Sequence, residues 1–253
     1  MRLANKVAIV TGSGSGFGEA IAKRFAEEGA KLVVNDINDA GGVRVAQEIN
    51  AARGQGSAVY LRADVAQDRD MGALIAHSLD RYARIDIMVN NAGITHVNRP
   101  MLEVPEDLFD RIFAVNVKSI YLSAMHLVPV LRKQGGGVII NTASTAGIRP
   151  RPGLVWYNGS KGAVITLTKG MAAELGPDRI RVNALCPVAG ETPLLASFLG
   201  GDTPANREKF RATVPLGRLS TPTDVANAAL YLASDEAEFI TGVALEVDGG
   251  RCI

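Results

Sequence analysis

Val7-Ala8-Ile9-Val10-Thr11-Gly12-Ser13-Gly14-Ser15-Gly16-Phe17-Gly18 is the stretch on which the reading of this chain turns: a short apolar run, a glycine-rich turn and the opening of a helix. The run has no polar alternation, as expected for a strand buried on both faces. Glycines in the turn let backbone N–H groups approach a phosphate closely, and the helix start adds a partial positive charge. The strict spacing G-x-G-x-x-G is not met, because Phe17 stands where its last glycine would fall. The spacing present is G-x-x-x-G-x-G, at Gly12, Gly16 and Gly18.

Further short β-branched runs follow at Leu32–Val34, Ala58–Leu61, Ile85–Val89, Val138–Ile140, Ile180–Val182 and Val243–Val247. Helical patterns lie between them, at Ala40–Arg53, Met71–Tyr82, Pro105–Lys133 and Trp156–Leu175. Strands alternating with helices predict βαβ units, a parallel sheet and helices on both faces. The expected class is a doubly wound, Rossmann-like three-layer α/β/α fold in a single domain over residues 1–253. The stretch 187–215 breaks the alternation, is rich in Gly, Pro and Thr, and has a helical patch near Asn206–Arg211. A connection that long is more often functional than idle, and a substrate lid is expected there.

The 253 residues are 47% hydrophobic, enough for a large core, and carry 27 basic against 26 acidic side chains. That balance gives no electrostatic footprint for nucleic acid. Cys186 and Cys252 form neither a metal-ligand spacing nor a disulfide framework. Met1–Lys6 runs into the first strand without the pattern of a signal peptide. No uninterrupted apolar run approaches the roughly 20 residues of a membrane helix. The expectation is a cytoplasmic protein with no metal, no nucleic-acid partner and no membrane.

Asp36 closes the second strand. A carboxylate there accepts hydrogen bonds from an adenosine ribose and repels a 2′-phosphate, which predicts NAD rather than NADP. Downstream, Tyr157 and Lys161 share a helix face one turn apart, with Ser144 just past the Val138–Ile140 strand. An ammonium beside a phenol favours the phenolate, and bringing a tyrosine from about pKa 10 to neutrality takes roughly 4 kcal/mol. The pair alone permits acid/base chemistry without demanding it.

Taken together, Thr11-Gly12-x-x-x-Gly16-x-Gly18, Asn90-Asn91-Ala92-Gly93, Asn116, Ser144 and Tyr157-x-x-x-Lys161 resemble the short-chain dehydrogenase/reductase family, in its order and over nearly the whole chain. The resemblance implies that Tyr157 exchanges a proton with the substrate oxygen. It implies that Lys161 depresses the Tyr157 pKa and holds the nicotinamide ribose, that Ser144 orients the reacting oxygen, and that Asn116 holds a water linked to Lys161. For the cofactor it implies contacts from Gly12, Ser15, Gly16, Phe17, Gly18 and Asp36, and from Asp64 and Val65 around the adenine. Asn90, Ala92 and Gly93 follow at the strand edge, with Asn90 part contact and part brace, and Pro187, Gly190 and Thr192 stand near the nicotinamide. One departure is Pro187-Val188-Ala189-Gly190-Glu191-Thr192, where the family often reads Pro-Gly-x-Val-x-Thr; Val and Gly have exchanged places, which makes Thr192 a firmer contact than Gly190.

The implied activity is NAD(H)-dependent hydride transfer between nicotinamide and a secondary alcohol or ketone, with sugars and polyols as candidates, by a homotetramer. A 3-oxoacyl-(acyl carrier protein) reductase is the alternative, but Ser15 stands where such enzymes usually carry an arginine, Asp36 is an acid they lack, and Ala173 precedes Glu174 where they carry a docking arginine. A non-catalytic NAD-binding sensor is a reading of a different class, with little need for Ser144, Tyr157 and Lys161 together. Candidate pocket residues are Thr95, His96, Thr145, Leu154, Trp156, Leu194, Leu195 and Phe198.

Overall fold

The computed structural model describes residues 1–253. Strands β1 (Val7–Thr11), β2 (Lys31–Asp36), β3 (Ala58–Arg62), β4 (Ile87–Asn90), β5 (Gly137–Thr142), β6 (Ile180–Pro187) and β7 (Ala244–Val247) form one sheet in the order β3-β2-β1-β4-β5-β6-β7. Every pairing is parallel. Successive β1 side chains serve opposite faces, as the period of two requires. Ala8 and Val10 pack with Ile21 and Phe25 of α1 (Gly16–Glu27), with Val45 of α2 (Asp39–Arg53) and with Leu230 of α9 (Pro222–Ala233). Ile9, between them, packs with Met71 and Leu74 of α3 (Asp68–Tyr82), with Leu122 and Leu127 of α5 (Ser119–Gln134) and with Ala172 of α6 (Val155–Leu175). The doubly wound three-layer class is therefore the one observed.

The order of strands reverses between β1 and β4. Crossovers from β1 run outward to β2 and β3, and those from β4 run the other way, so a crevice opens at the carboxyl ends of β1 and β4, where open sheets bind ligands.

The expected helix Pro105–Lys133 is α4 (Glu106–Phe113) and α5 joined by one π-helical turn, Ala114–Lys118. Glu106–Gln134 as a whole is long and apolar enough to cross a membrane, yet half of its most apolar window is buried, and α5 packs on α3 and the sheet as a core helix does. The stretch 187–215 contains α7 (Leu195–Leu199) and α8 (Pro204–Arg211), around a small cluster of Val188, Leu195, Phe210, Val214 and Leu219. The sequence patterns did not single out α9, although its start is signalled: Thr221 caps the backbone of Asp224, the Asp224 carboxylate accepts from the Thr221 N–H, and Pro222 occupies the first position.

Candidate active site

A cleft of about 320 Å³ lies over the β1/β4 crevice. At its floor Gly12 adopts φ +62°, and a Cβ there would stand 2.8 Å from the Ala92 Cα. Thr11 Oγ1 accepts from the N–H groups of Asn91 and Ala92, both at 3.0 Å. The Asn91 side-chain amide donates to the carbonyls of Thr11 and Gly12. The glycine-rich turn is thus tied to the end of β4 by a threonine and an asparagine. Gly18 does not face the cleft. It brings α1 against the turn, since a Cβ would be 2.3 Å from the Gly12 carbonyl oxygen.

Asp36 Oδ2 accepts from Gly14 N–H at 2.8 Å and Oδ1 from Asn38 N–H at 2.9 Å. Asn38, not Asp36, caps α2. Asp64 Oδ2 takes two bonds of 3.1 Å from the Arg111 guanidinium, and its Oδ1 accepts from Ala66 N–H.

On the other side of the crevice, Tyr157 and Lys161 project from α6 and are 6% and 3% exposed. Burial pushes the Tyr157 phenol up to about 12, while the adjacent Ser144 hydroxyl and the Arg151 charge act to lower it. Ser144 Oγ is itself held by Ala146 N–H at 3.1 Å. Burial drives Lys161 down to about 8; its Nζ donates to the Thr142 carbonyl at 2.6 Å and lies 5.9 Å from the Tyr157 ring centroid. Lys161 is not among the groups that lower Tyr157 here, because its ammonium is directed at β5. Gly93 stands beside both groups: a Cβ there would be 3.4 Å from Lys161 Nζ and from Asn116 Oδ1, an ordinary contact.

Lys161 permits a stability prediction. Between pH 8 and its ordinary 10.5 the unfolded chain keeps a proton that the folded chain has released, so this group makes stability rise with pH across that window. Below it, both states are protonated and the fold bears the full cost of burying the ammonium, roughly 3 kcal/mol. Losing the bond to Thr142 costs about 1 kcal/mol, so Lys161→Met is expected to raise stability at pH 7 by roughly 2 kcal/mol. Urea unfolding at pH 7 and pH 10 checks this, with the advantage shrinking at the higher pH; a destabilised variant at pH 7 overturns it.

Asn116 sits in the π-helical turn, which rotates it toward the loop after β4. Its Oδ1 accepts from Ile94 N–H, and its amide donates to the Ile94 carbonyl and to Ser160 Oγ. It braces that loop against α6. Asn90 donates to Asn141 Oδ1, and Asn141 in turn donates to Thr168 Oγ1, a buried polar chain from β4 through β5 to α6. Of the residues the sequence marked for catalysis or cofactor binding, all but Gly18, Asn90 and Asn116 line the cleft. Gly190 lies under the Phe17 ring, where a Cβ would be 2.6 Å away, which accounts for a glycine at that point of the Pro187-to-Thr192 loop.

Family comparison agrees with this geometry. A family profile described as enoyl-(acyl carrier protein) reductase matches residues 12–251. A 4-formylbenzenesulfonate dehydrogenase of Comamonas testosteroni is 51% identical over the whole of both chains. The chain belongs to the short-chain dehydrogenase/reductase family. A 2,5-dichloro-2,5-cyclohexadiene-1,4-diol dehydrogenase of Sphingobium indicum is 40% identical over 98% of this chain and 97% of its own. Among solved structures, a 3-ketoacyl-(acyl-carrier-protein) reductase of Brucella melitensis complexed with NADH superposes with a TM-score of 0.93 at 49% identity, covering 99% of this chain and all of that one. As a short-chain dehydrogenase/reductase the chain is an oxidoreductase with a nicotinamide adenine dinucleotide as cofactor. The cleft fits that group: the glycine-rich turn lines it at Gly12, Ser15 and Gly16, and two carboxylates line it too, Asp36 at the end of β2 and Asp64 just past β3.

Within this short-chain dehydrogenase/reductase, Thr145, Leu154, Leu194 and Phe198 line the cleft as expected. Trp156 instead turns to Phe109, edge to face, and donates to the Met101 carbonyl. Leu195 packs into the cluster of the 187–215 stretch, and Thr95 Oγ1 donates to the His96 carbonyl. His96 is buried with its Nδ1 against the Val97 carbonyl, away from the cleft. Sequence reasoning missed Asn91, Arg111, Arg149, Arg151 and Arg251. Asn91 belongs to a motif already singled out, and Arg149-Pro150-Arg151-Pro152 ahead of α6 is a visible basic cluster, but nothing near Arg251 or Arg111 points to the site.

Proposed function

We propose that the chain is an NAD-preferring dehydrogenase interconverting a secondary alcohol and its ketone. The observation that carries this reading is the buried Tyr157, flanked by Ser144 and Lys161 on the wall of the same cleft as Asp36. Bound nicotinamide supplies the hydride acceptor for oxidation and the donor for reduction. Held protonated by burial, Tyr157 gives its proton to the carbonyl oxygen in reduction; in oxidation the Tyr157 phenolate, left by prior loss of that proton, takes the hydroxyl proton as the carbinol carbon gives up its hydride to nicotinamide. Ser144 holds the same oxygen and stabilises alkoxide character as it develops. Lys161 holds the nicotinamide ribose and, once drawn to it, favours the phenolate.

NAD preference is supported by Asp36, whose carboxylate repels a 2′-phosphate. Asp36→Ala is expected to move the NAD-to-NADP ratio of kcat/KM by on the order of tenfold or more toward NADP; an unmodified chain that prefers NADP sinks the reading. A homotetramer is supported by the outward-facing Tyr121 and Met125 on α5 and Leu167 on α6, and by the fully exposed Phe239.

The name of the Brucella neighbour favours a second reading, reduction of 3-oxoacyl thioesters; Ser15 and Ala173 weigh against it. A screen following nicotinamide absorbance with both cofactors over secondary alcohols, polyols, sugars and 3-oxoacyl thioesters tests both. Turnover of thioesters alone supports the second reading, and no turnover of any alcohol overturns the first.

A further inference from the structure

Three arginines that line the cleft form no ion pair, although the Asp248 charge acts on one of them, Arg251. Arg149 and Arg151 precede α6, Arg251 follows β7, and all three line the cavity that holds Tyr157. They meet because the Arg149 guanidinium donates to the Arg251 carbonyl. Arg151 and Arg251 both stand over the ring of Phe210, each 5.1 Å from its centroid. The chain has many ion pairs, and none involves any of the three. The carboxylate nearest Arg251 in sequence, Asp248, is engaged by the N–H groups of Gly250 and Cys252.

Partial burial and the charge of Arg251 hold the Arg151 guanidinium below its ordinary value, and burial and Arg149 do the same to Arg251. Like charges gathered in a partly dry place are unfavourable unless an anion completes them. Other arginines of this chain do find one: Arg44 pairs with Glu19 and Glu48, and Arg218 with Asp224. Arg53, Arg69, Arg81, Arg99, Arg179 and Arg181 form no ion pair either, but none of them lines the cleft; the three cleft arginines are set apart by standing unpaired on the wall of the cavity that holds Tyr157.

Their position relative to the chemistry is fixed by Phe198. Arg151 Nη2 donates to the Phe198 carbonyl at 2.8 Å, and the Phe198 ring lies 5.2 Å from the Tyr157 ring. The cavity that holds Tyr157 and the Arg151 and Arg251 guanidiniums is also lined by the apolar Leu154, Leu194 and Phe198. A substrate with an apolar body and a charged end matches that mixture of walls.

We propose that Arg151 and Arg251 form an anion subsite that seats a carboxylate or sulfonate of the substrate, borne on an apolar body that carries the carbinol carbon to Tyr157. This rests on the reading of the cleft as an alcohol dehydrogenase site. Guanidinium recognises both anions by paired N–H bonds to two oxygens, which the neutral amide analogues do not match.

The test compares kcat/KM at saturating NAD for 4-(1-hydroxyethyl)benzoate against its carboxamide, and for 4-(1-hydroxyethyl)benzenesulfonate against its sulfonamide. The unmodified chain is expected to prefer each anion by about 100-fold, and the larger of the two ratios tells carboxylate from sulfonate. In Arg251→Met and in Arg151→Met the preference is expected to fall below about fivefold, with Arg251→Lys in between. Calorimetric binding of benzoate, benzenesulfonate and benzenesulfonamide to the NAD-saturated chain reads the subsite without turnover. Anion binding that depends on both arginines, with no alcohol oxidised, keeps the subsite and discards the proposed reaction. Oxidation of the alcohols with no preference for anions, or a preference that survives both methionine variants, overturns the subsite. So does a variant whose main loss is NAD affinity, since the arginines would then belong to the dinucleotide.

Discussion

Tyr157→Phe is expected to lower kcat by about a thousandfold, near the middle of what a positioned acid/base contributes. The phenyl ring keeps its contact with Phe198, and the substitution removes one oxygen from a buried position without enlarging a side chain. Stability is therefore expected to stay level or rise, so a loss of turnover is not a loss of fold. The pH profile separates this from a merely local disturbance. In the unmodified chain burial outweighs the lowering by Ser144 and Arg151 and leaves the phenol at about 12; the proton step that appears in the kcat profile once Lys161, drawn to the bound ribose, lowers it should vanish in the variant. Single-turnover measurement over one alcohol substrate and a stability scan suffice. Retention of more than a tenth of kcat would remove Tyr157 from the chemistry.

Gly18→Ala is the second large effect, and two physical arguments give it opposite signs. Gly18 lies near the start of α1, outside the positive-φ glycines, so helix propensity alone favours alanine by about 0.5–1 kcal/mol. Packing opposes it: a Cβ would meet the Gly12 carbonyl oxygen at 2.3 Å and Asn91 Nδ2 at 2.5 Å. The first atom belongs to the turn that receives the dinucleotide, and the second is the amide that ties that turn to the end of β4, held in place by its bonds to the Thr11 and Gly12 carbonyls. The steric term wins, with an overpacking cost of about 3 kcal/mol and a loss of NAD affinity on the order of a hundredfold. Gly159→Ala on α6, with nothing within 4 Å of the added carbon, serves as the control and should be neutral or stabilising. If both variants bind NAD alike, α1 does not clamp the turn.

The doubly wound class was legible because its determinants are local: β-branched runs and helical periodicity locate all seven strands, and Asp36 marks the end of β2 to the residue. Tyr157, Lys161 and Ser144 were legible because helix spacing and strand ends are read from neighbours in sequence. What escaped depends on distant approach. Arg111 reaches Asp64, and Arg149 reaches Arg251, across gaps of 47 and 102 residues, and no local pattern encodes either meeting. Trp156 shows the converse: its place beside Tyr157 suggests the pocket, but consecutive helical residues point in different directions, and its ring goes to Phe109. Asn116 carried a signal for irregularity only once the π-helical turn was seen, since its bonds to Ile94 and Ser160 join two segments far apart in the chain.

The carboxylate of Asp36 holds Gly14 and Asn38 by their N–H groups as well as standing where a ribose would meet it. Cofactor preference and the shape of the glycine turn are therefore coupled in a single side chain, and an engineer or a lineage cannot alter one independently. A change of coenzyme by charge removal alone strands two backbone donors and loosens the turn that every dinucleotide needs. Even the mildest first step, Asp36→Asn, keeps an acceptor for only one of the two N–H groups, since the other oxygen becomes an amide NH2; a cation can follow only at a neighbouring position such as Ile37, whose side chain is already half exposed. Coenzyme switching in this chain is a problem of the order of substitutions as well as their identity.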